Sequence, residues 1–331
     1  MSPCFETGLR ARLRYGLLAA LACAAVAARA EYPERPITLV VPYSAGGATD
    51  LAGRNLAQHA GEALGQKVVV LNKPGAAGVL GSQFVRTAPA DGYTLLIARV
   101  GSQAVSPAMD PKVPYKWNEF TFLSLLELTP TACVARADAP FGSLPELVAH
   151  LKAHPGKLNY SSSGDGTLPQ MASLMLLSLA GLERTAAVNV PYKSDADSVV
   201  AMLGGLVHFH CASATALIPQ VRAGKLKGLS VAMPERMDEF PGVPTAREQG
   251  YPDLEKVVGW SALYGPEGLP AAVVAKWTEA MRKVATHPGW IEGNRRFGGV
   301  PAVRSPADTE RFAREQFELY QRMVRALGVG K

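Results

Sequence analysis

Residues 41–50 read VPYSAGGATD. The β-branched run ITLVV (37–41) leads into this stretch, and LAGRNL (51–56) follows it. β-Branched residues favour a pleated strand, and Leu51, Leu56, Ala60 and Ala63 fall on one face of a helix from about 50 to 64. Gly65 is placed to stop that helix. The decade is therefore a glycine-bearing loop between a strand and a helix. A helix start exposes unpaired N–H groups and partial positive charge, and Gly46 and Gly47 would let an anion come close to the backbone. Thr49 and Asp50 are candidate caps. Two readings stand on this loop alone: a cradle for a carboxylate or phosphate, or a tight turn that binds nothing.

The same arrangement returns in the second half of the chain. LNYSS (158–162) reads as a strand, SGDGT (163–167) as a loop and 168–180 as a helix with Thr167 as candidate cap. Strands are expected at 67–71, 91–98, 123–128, 132–135, 186–192, 206–212, 225–232 and 257–268. Helices are expected after NKPGAAGVLG to about Thr87 and at 143–156, 194–203, 216–223, 270–286 and 306–326, with a short one within 238–250. Alternating strands and helices indicate an α/β fold with parallel layers. About ten strands are too many for one small sheet, so two α/β lobes are the natural arrangement. Ligands of such sheets bind beyond the carboxyl ends of the strands, which is where both glycine loops fall. Two loops on two lobes would face each other across a cleft.

The 331 residues carry 34 basic and 28 acidic side chains, a net charge of +6. The first thirty need separate treatment. Arg10, Arg12 and Arg14 precede the thirteen-residue apolar stretch 16–28, and Ala28-Arg29-Ala30 matches a small-x-small cleavage site. The stretch is short of the roughly 20 apolar residues that span a bilayer. A secretory signal peptide cleaved after about Ala30 is expected, and hence a periplasmic protein. Cys23 leaves a lipidated alternative open. Cleavage removes four arginines and one glutamate, lowering the net charge to +3. No concentrated Lys/Arg stripe remains, so no nucleic-acid partner is expected. Cys133 and Cys211 stay in the mature chain; two free buried thiols are favoured over a disulfide, since spacing alone cannot pair them.

Other chemistries find little support. Gly75, Gly78 and Gly81 in NKPGAAGVLG have the wrong spacing for a dinucleotide fingerprint. No G-x-S-x-G nucleophile elbow surrounds Ser163. His208 and His210 share a strand face, but no third metal ligand lies nearby in sequence. No catalytic set, cofactor or metal is therefore expected. Arg99 ends a strand at the expected cleft, where it could grip a ligand carboxylate or form a salt bridge.

Together these segments resemble the Bug-type solute-binding proteins, the extracytoplasmic receptors of tripartite tricarboxylate transporters. The resemblance runs from Tyr32 to near the C-terminus and rests on YPERPITLVVPYSAGGATD, VVVLNKPGAAG, APADGYTLLIA, HPGKLNYSSSGDGT, VPYK, AGKLKGLSV, PGVPTAREQG and GWSALYGPEGLP. It implies a two-lobed, type II periplasmic-binding-protein fold with a ligand cleft between the lobes. Domain 1 would comprise 31–132 and 258–331, and domain 2 would comprise 133–257. It implies a monomeric receptor that delivers a small organic anion to membrane permease subunits, without catalysis; a sensor for a signalling partner and an α/β enzyme are the alternatives. The implied ligand loops contain Ser44, Ala45, Gly46, Gly47, Ala48, Thr49 and Asp50, and Ser162, Ser163, Gly164, Asp165, Gly166 and Thr167. The chain departs from the family pattern at Ala45, at Arg99 to Ser102 followed by Gln103, at Gln170 and at Ala212-Ser213. Arg99 and Ser102 join the candidate site, and the Arg99 charge favours an acidic ligand such as a dicarboxylate.

Overall fold

β1 (Ile37–Val41), with every residue but Thr38 fully buried, forms the inner strand of a six-stranded sheet and leads into α1 (Ala48–Leu64). Ala52, Leu56, Ala60 and Leu64 line the buried face of α1, and Gly65 ends it in the left-handed conformation. The structure is a computed structural model, and it describes residues 32–296 and 298–328. The signal-peptide and lipidation expectations lie outside the described residues. Arg35 onward forms one compact unit, distinct from the residues before it.

β2 (Val68–Asn72) and β3 (Thr94–Arg99) flank β1 in parallel, with α2 (Val79–Arg86) between them. A wide helical turn at Gly101–Val105 and the short α3 (Ser106–Met109) carry the chain to β4 (Phe120–Thr129). Pro130 alone separates β4 from β5 (Thr131–Arg136), the first strand of a second, five-stranded sheet. There follow α4 (Leu144–Ala153), β6 (Leu158–Ser162), α5 (Leu168–Leu179), β7 (Ala187–Pro191), α6 (Asp195–Leu203), β8 (Phe209–Ser213), α7 (Ala214–Arg222) and β9 (Leu226–Ala232). The chain returns to the first sheet through β10 (Gly259–Pro266), then α8 (Ala271–Ala285), α9 (Pro288–Arg296), β11 (Val300–Pro301) and α10 (Pro306–Leu327). Among the described residues no helix is long and apolar enough to cross a membrane.

Both sheets are mixed, which corrects the expectation of parallel layers. The strand orders are β11-β4-β10-β3-β1-β2 and β7-β6-β8-β5-β9. β10 is inserted antiparallel between β3 and β4, and β5 runs antiparallel to β8 and β9. The cause is the path between sheets: a strand that leaves one sheet by its end and enters the next by its start opposes the strands laid down by helical crossovers. The short helix expected within 238–250 is also absent. Thr245 and Glu248 cap each other's N–H groups there and hold a turn, and the next helical turn is Pro252–Lys256.

The second sheet holds a further correction. Cys133 on β5 lies directly opposite Cys211 on β8, with Cα atoms 4.0 Å apart, and the two form a disulfide rather than two free thiols. Their pairing follows from strand register, which spacing in the sequence does not carry.

Candidate functional site

The registers fix which ends of the strands meet. In the first sheet, β1, β2, β3 and β4 all end on the edge where β10 begins: Arg99 pairs with Ser261 and Thr129 with Gly259. In the second, β6, β7, β8 and β9 end beside Thr131, the start of β5, which pairs with Ser213 and Ala232. Thr129 and Thr131 are separated by one proline, so these two edges face each other around the crossover. Residues 44–50 follow β1 and residues 162–167 follow β6, which places both glycine loops on the facing edges. The second loop also approaches the first sheet's elements: a Cβ on Gly166 would stand 2.8 Å from Met109 Sδ, and one on Gly259 3.3 Å from Leu168 Cδ2.

The loops share one construction. α1 begins after the N-cap Gly47 and α5 after the N-cap Thr167; neither is capped by its own side chain, contrary to the expected cap roles of Thr49, Asp50 and Thr167. The residue third into each helix reaches backwards instead. Asp50 Oδ2 accepts the Gly46 N–H at 2.9 Å, and Gln170 Oε1 accepts the Gly166 N–H at 2.8 Å. Gly46 and Gly166 hold φ of 82° and 73°, the left-handed region that favours glycine, and so turn their N–H groups inward. Intrahelical bonding starts only at Leu51 and at Met171, so the N–H groups ahead of them, which in α5 are those of Leu168 and Gln170 because Pro169 has none, are of the kind that suits an anion. Ser44, Ala45, Gly46 and Gly47 are exposed, whereas Thr49 and Asp50 are buried.

Charge divides the two loops. Asp50 takes further bonds from Arg54 Nε and Asn72 Nδ2, each 2.9 Å. Burial works against its ionisation, but the bonds from Arg54, Gly46 and Asn72 outweigh it and hold the carboxyl below its ordinary pKa. Gln170 is neutral and anchors Asp165 as well, donating to Asp165 Oδ1 at 2.8 Å. Ser163 donates to Asp195 Oδ1 at 2.5 Å, Thr167 to the Gly164 carbonyl at 2.7 Å, and the Gly164 N–H to Ser162 Oγ at 3.3 Å. The second loop is thereby stitched together by its own hydroxyls.

Arg99 has a protein partner. Its guanidinium donates to Ser261 Oγ at 2.7 Å and lies 3.5 Å from Glu127 Oε1, and Ser261 donates to the same carboxylate oxygen at 2.7 Å. The Arg99 side chain is 15% exposed and that of Glu127 7%, so the pair is largely withdrawn from water. Burial pushes the Glu127 carboxyl above its ordinary pKa, with Arg99 and Ser261 working against that rise. Ser102 is buried and bonds its hydroxyl to the Arg99 carbonyl at 3.3 Å; beside it Tyr43 donates to the Ala77 carbonyl at 3.0 Å. Asn72, Glu127, Asp195 and Ser261 were not singled out from sequence. One available signal was Glu127, a lone acid in the otherwise uncharged strand FTFLSLLELT.

His208 and His210 use their Nδ1 atoms on β6, facing Asn159 and Ser161 respectively. Burial lowers the pKa of both rings. They tie β8 to β6 as structural contacts.

A mixed α/β fold in two lobes, with strand ends facing across the crossover, is that of a periplasmic binding protein. Residues 52–329 match the family described as "Tripartite tricarboxylate transporter family receptor", and the chain belongs to that family. Protein BugT of Bordetella pertussis is 31% identical over 300 residues, covering 90% of this chain and 90% of that protein. The solved periplasmic binding protein BugD is 30% identical with a TM-score of 0.76, covering 91% of this chain and 100% of that one. MatC from Rhodopseudomonas palustris, solved with bound malate, is 29% identical with a TM-score of 0.76, covering 88% of this chain and 100% of that one. Members of this family are periplasmic solute-binding proteins.

Proposed function

We propose that this chain is a periplasmic receptor that takes a small carboxylate between residues 44–50 and 162–167 and delivers it to a tripartite tricarboxylate-type permease. The observation that carries the reading is the matched construction of the two loops on facing sheet edges. In each, a side chain from the helix fixes the glycine N–H behind the N-cap, which leaves the helix's first N–H groups to the ligand. Two such donor sets suit a ligand with a carboxylate at each end, and MatC was solved with malate, a dicarboxylate. Arg99 acts through Glu127 and Ser261 as a neutralised support beside the first loop rather than as a free counter-charge. The protein acts as a monomer without catalysis, in a mature form that starts after about Ala30. Its domains are 31–132 with 258–331, and 133–257.

The test is a thermal-shift and calorimetry screen of mono-, di- and tricarboxylates. A ligand at a hundred times its dissociation constant should stabilise the fold by about 2.7 kcal/mol. Dicarboxylates should bind more tightly than monocarboxylates of equal chain length. If no carboxylate gives saturable heat or a shifted transition, the reading fails.

A further inference from the structure

Toward the far end of α1 from the first ligand loop, the helix carries His59 and Glu62, three residues apart and so on one helical face. α1 packs against α8 and α9, and the turn between those helices carries His287. The His59 Nδ1 stands 3.8 Å from Glu62 Oε2, and the His287 Nε2 3.9 Å from the same oxygen. One donor atom from each residue lies within 4.8 Å of the others, and no other such group of three or more occurs among the described residues. The His59 ring is 7% exposed, yet its Nδ1 has no hydrogen-bond partner. A buried polar atom without a partner is uncommon and calls for an explanation. The two rings lie with centroids 4.4 Å apart and planes tilted by 37°, so they converge on the carboxylate without stacking flat.

We infer that His59, Glu62 and His287 form a binding site for a zinc-type divalent transition metal, a two-imidazole, one-carboxylate set open to water in its remaining position. Imidazole and carboxylate at about 2.0–2.2 Å are zinc's ordinary ligands, and three around a tetrahedral centre would lie roughly 3.3–3.5 Å apart. The observed spacings exceed that by a few tenths of an ångström or more. Glu62 and His287 are 57% and 46% exposed, so side-chain rotation can close the gap while buried His59 stays fixed. Gly289 N–H donates to His287 Nδ1 at 3.1 Å, so in the metal-free ring the proton sits on Nε2, facing Glu62. Binding moves that proton to Nδ1 and releases the Gly289 N–H, near the exposed start of α9, to water. The bound ion would fasten α1, from the first part of the chain, to the α8–α9 turn near its end.

The experiment titrates the untagged, chelator-stripped secreted protein with Zn²⁺ by calorimetry, and with Co²⁺ by visible absorption. One ion per chain is expected, with a Tm rise of roughly 4 °C at a hundredfold excess over the dissociation constant. Glu62→Gln and His287→Ala change exposed side chains and should each weaken binding roughly tenfold or more. Half-buried His150 and exposed His154 form the competing pair, with ring centroids 4.7 Å apart, so His150→Ala/His154→Ala should leave the affinity unchanged. Carboxylate binding should persist in the Glu62 and His287 variants, so this result and the receptor reading stand or fall separately. Absence of saturable binding, or binding that survives His287→Ala and disappears with the His150/His154 variant, overturns the site.

Discussion

Asp50 is the anion that the first loop supplies for itself. It is buried, and it fixes the Gly46 N–H, Arg54 and Asn72 at once. Asp50→Ala should lower stability by about 1–3 kcal/mol, because several donors lose their acceptor together, and should weaken carboxylate binding as the loop loosens. Urea unfolding and calorimetry measure the two effects. The pH dependence follows from the lowered pKa. As pH falls, the unfolded chain takes up the Asp50 proton first, so this stabilisation is complete above the ordinary carboxylate range and is lost as pH drops through the folded pKa. Asp50→Asn should flatten that part of the acid limb in a plot of urea midpoint against pH. Arg99 poses a different question, because it has a buried partner. Arg99→Ala leaves Glu127 without its cation and should cost about 2 kcal/mol or more, whereas adding Glu127→Gln to it should recover part of the loss. If instead Arg99→Ala removed carboxylate binding with no loss of stability, Arg99 would be a ligand contact and the supporting role assigned to it would be wrong.

At the scale of the elements, local pattern sufficed wherever one residue's neighbours in sequence are its neighbours in space. β1 and β6 occupy the spans expected of them, and Ser143 caps α4 by accepting the Glu146 N–H. Partners set by pairing were not legible. Arg99 and Glu127 stand 28 positions apart, and nothing between them signals that β10 will insert between their strands and bring Ser261 to both. The two glycine loops were recognisable as a pair from composition, yet the backward reach of Asp50 and Gln170 was not, because capping residues are normally sought ahead of the helix. Likewise the disulfide depends on β5 and β8 aligning Cys133 with Cys211, 78 residues apart. Closing a loop of that length should contribute about 4 kcal/mol through the unfolded chain's lost entropy. Replacing both cysteines by serine should lower the denaturant midpoint accordingly, while the far-ultraviolet spectrum of the folded protein stays unchanged.

For the molecule as a whole, ligand binding between facing edges should favour a closed arrangement, since only there do both loops contact the ligand. Small-angle scattering should show a smaller radius of gyration with saturating carboxylate, and Asp50→Ala should require more ligand for the same change. The crossover that permits this has a further consequence. The chain enters the second sheet at Thr131 and leaves it near Val257, and the Thr131 hydroxyl donates to the Val257 carbonyl at 2.7 Å. Start and finish of the middle segment are thus neighbours. Residues 131–257 are in topological terms a cassette, spliced into a sheet whose strands come from both sides of the splice. Recombination between relatives at these two adjacent points would exchange one half of the proposed ligand clamp and keep the other, a short genetic route to new specificity that asks for no rearrangement of the remaining fold.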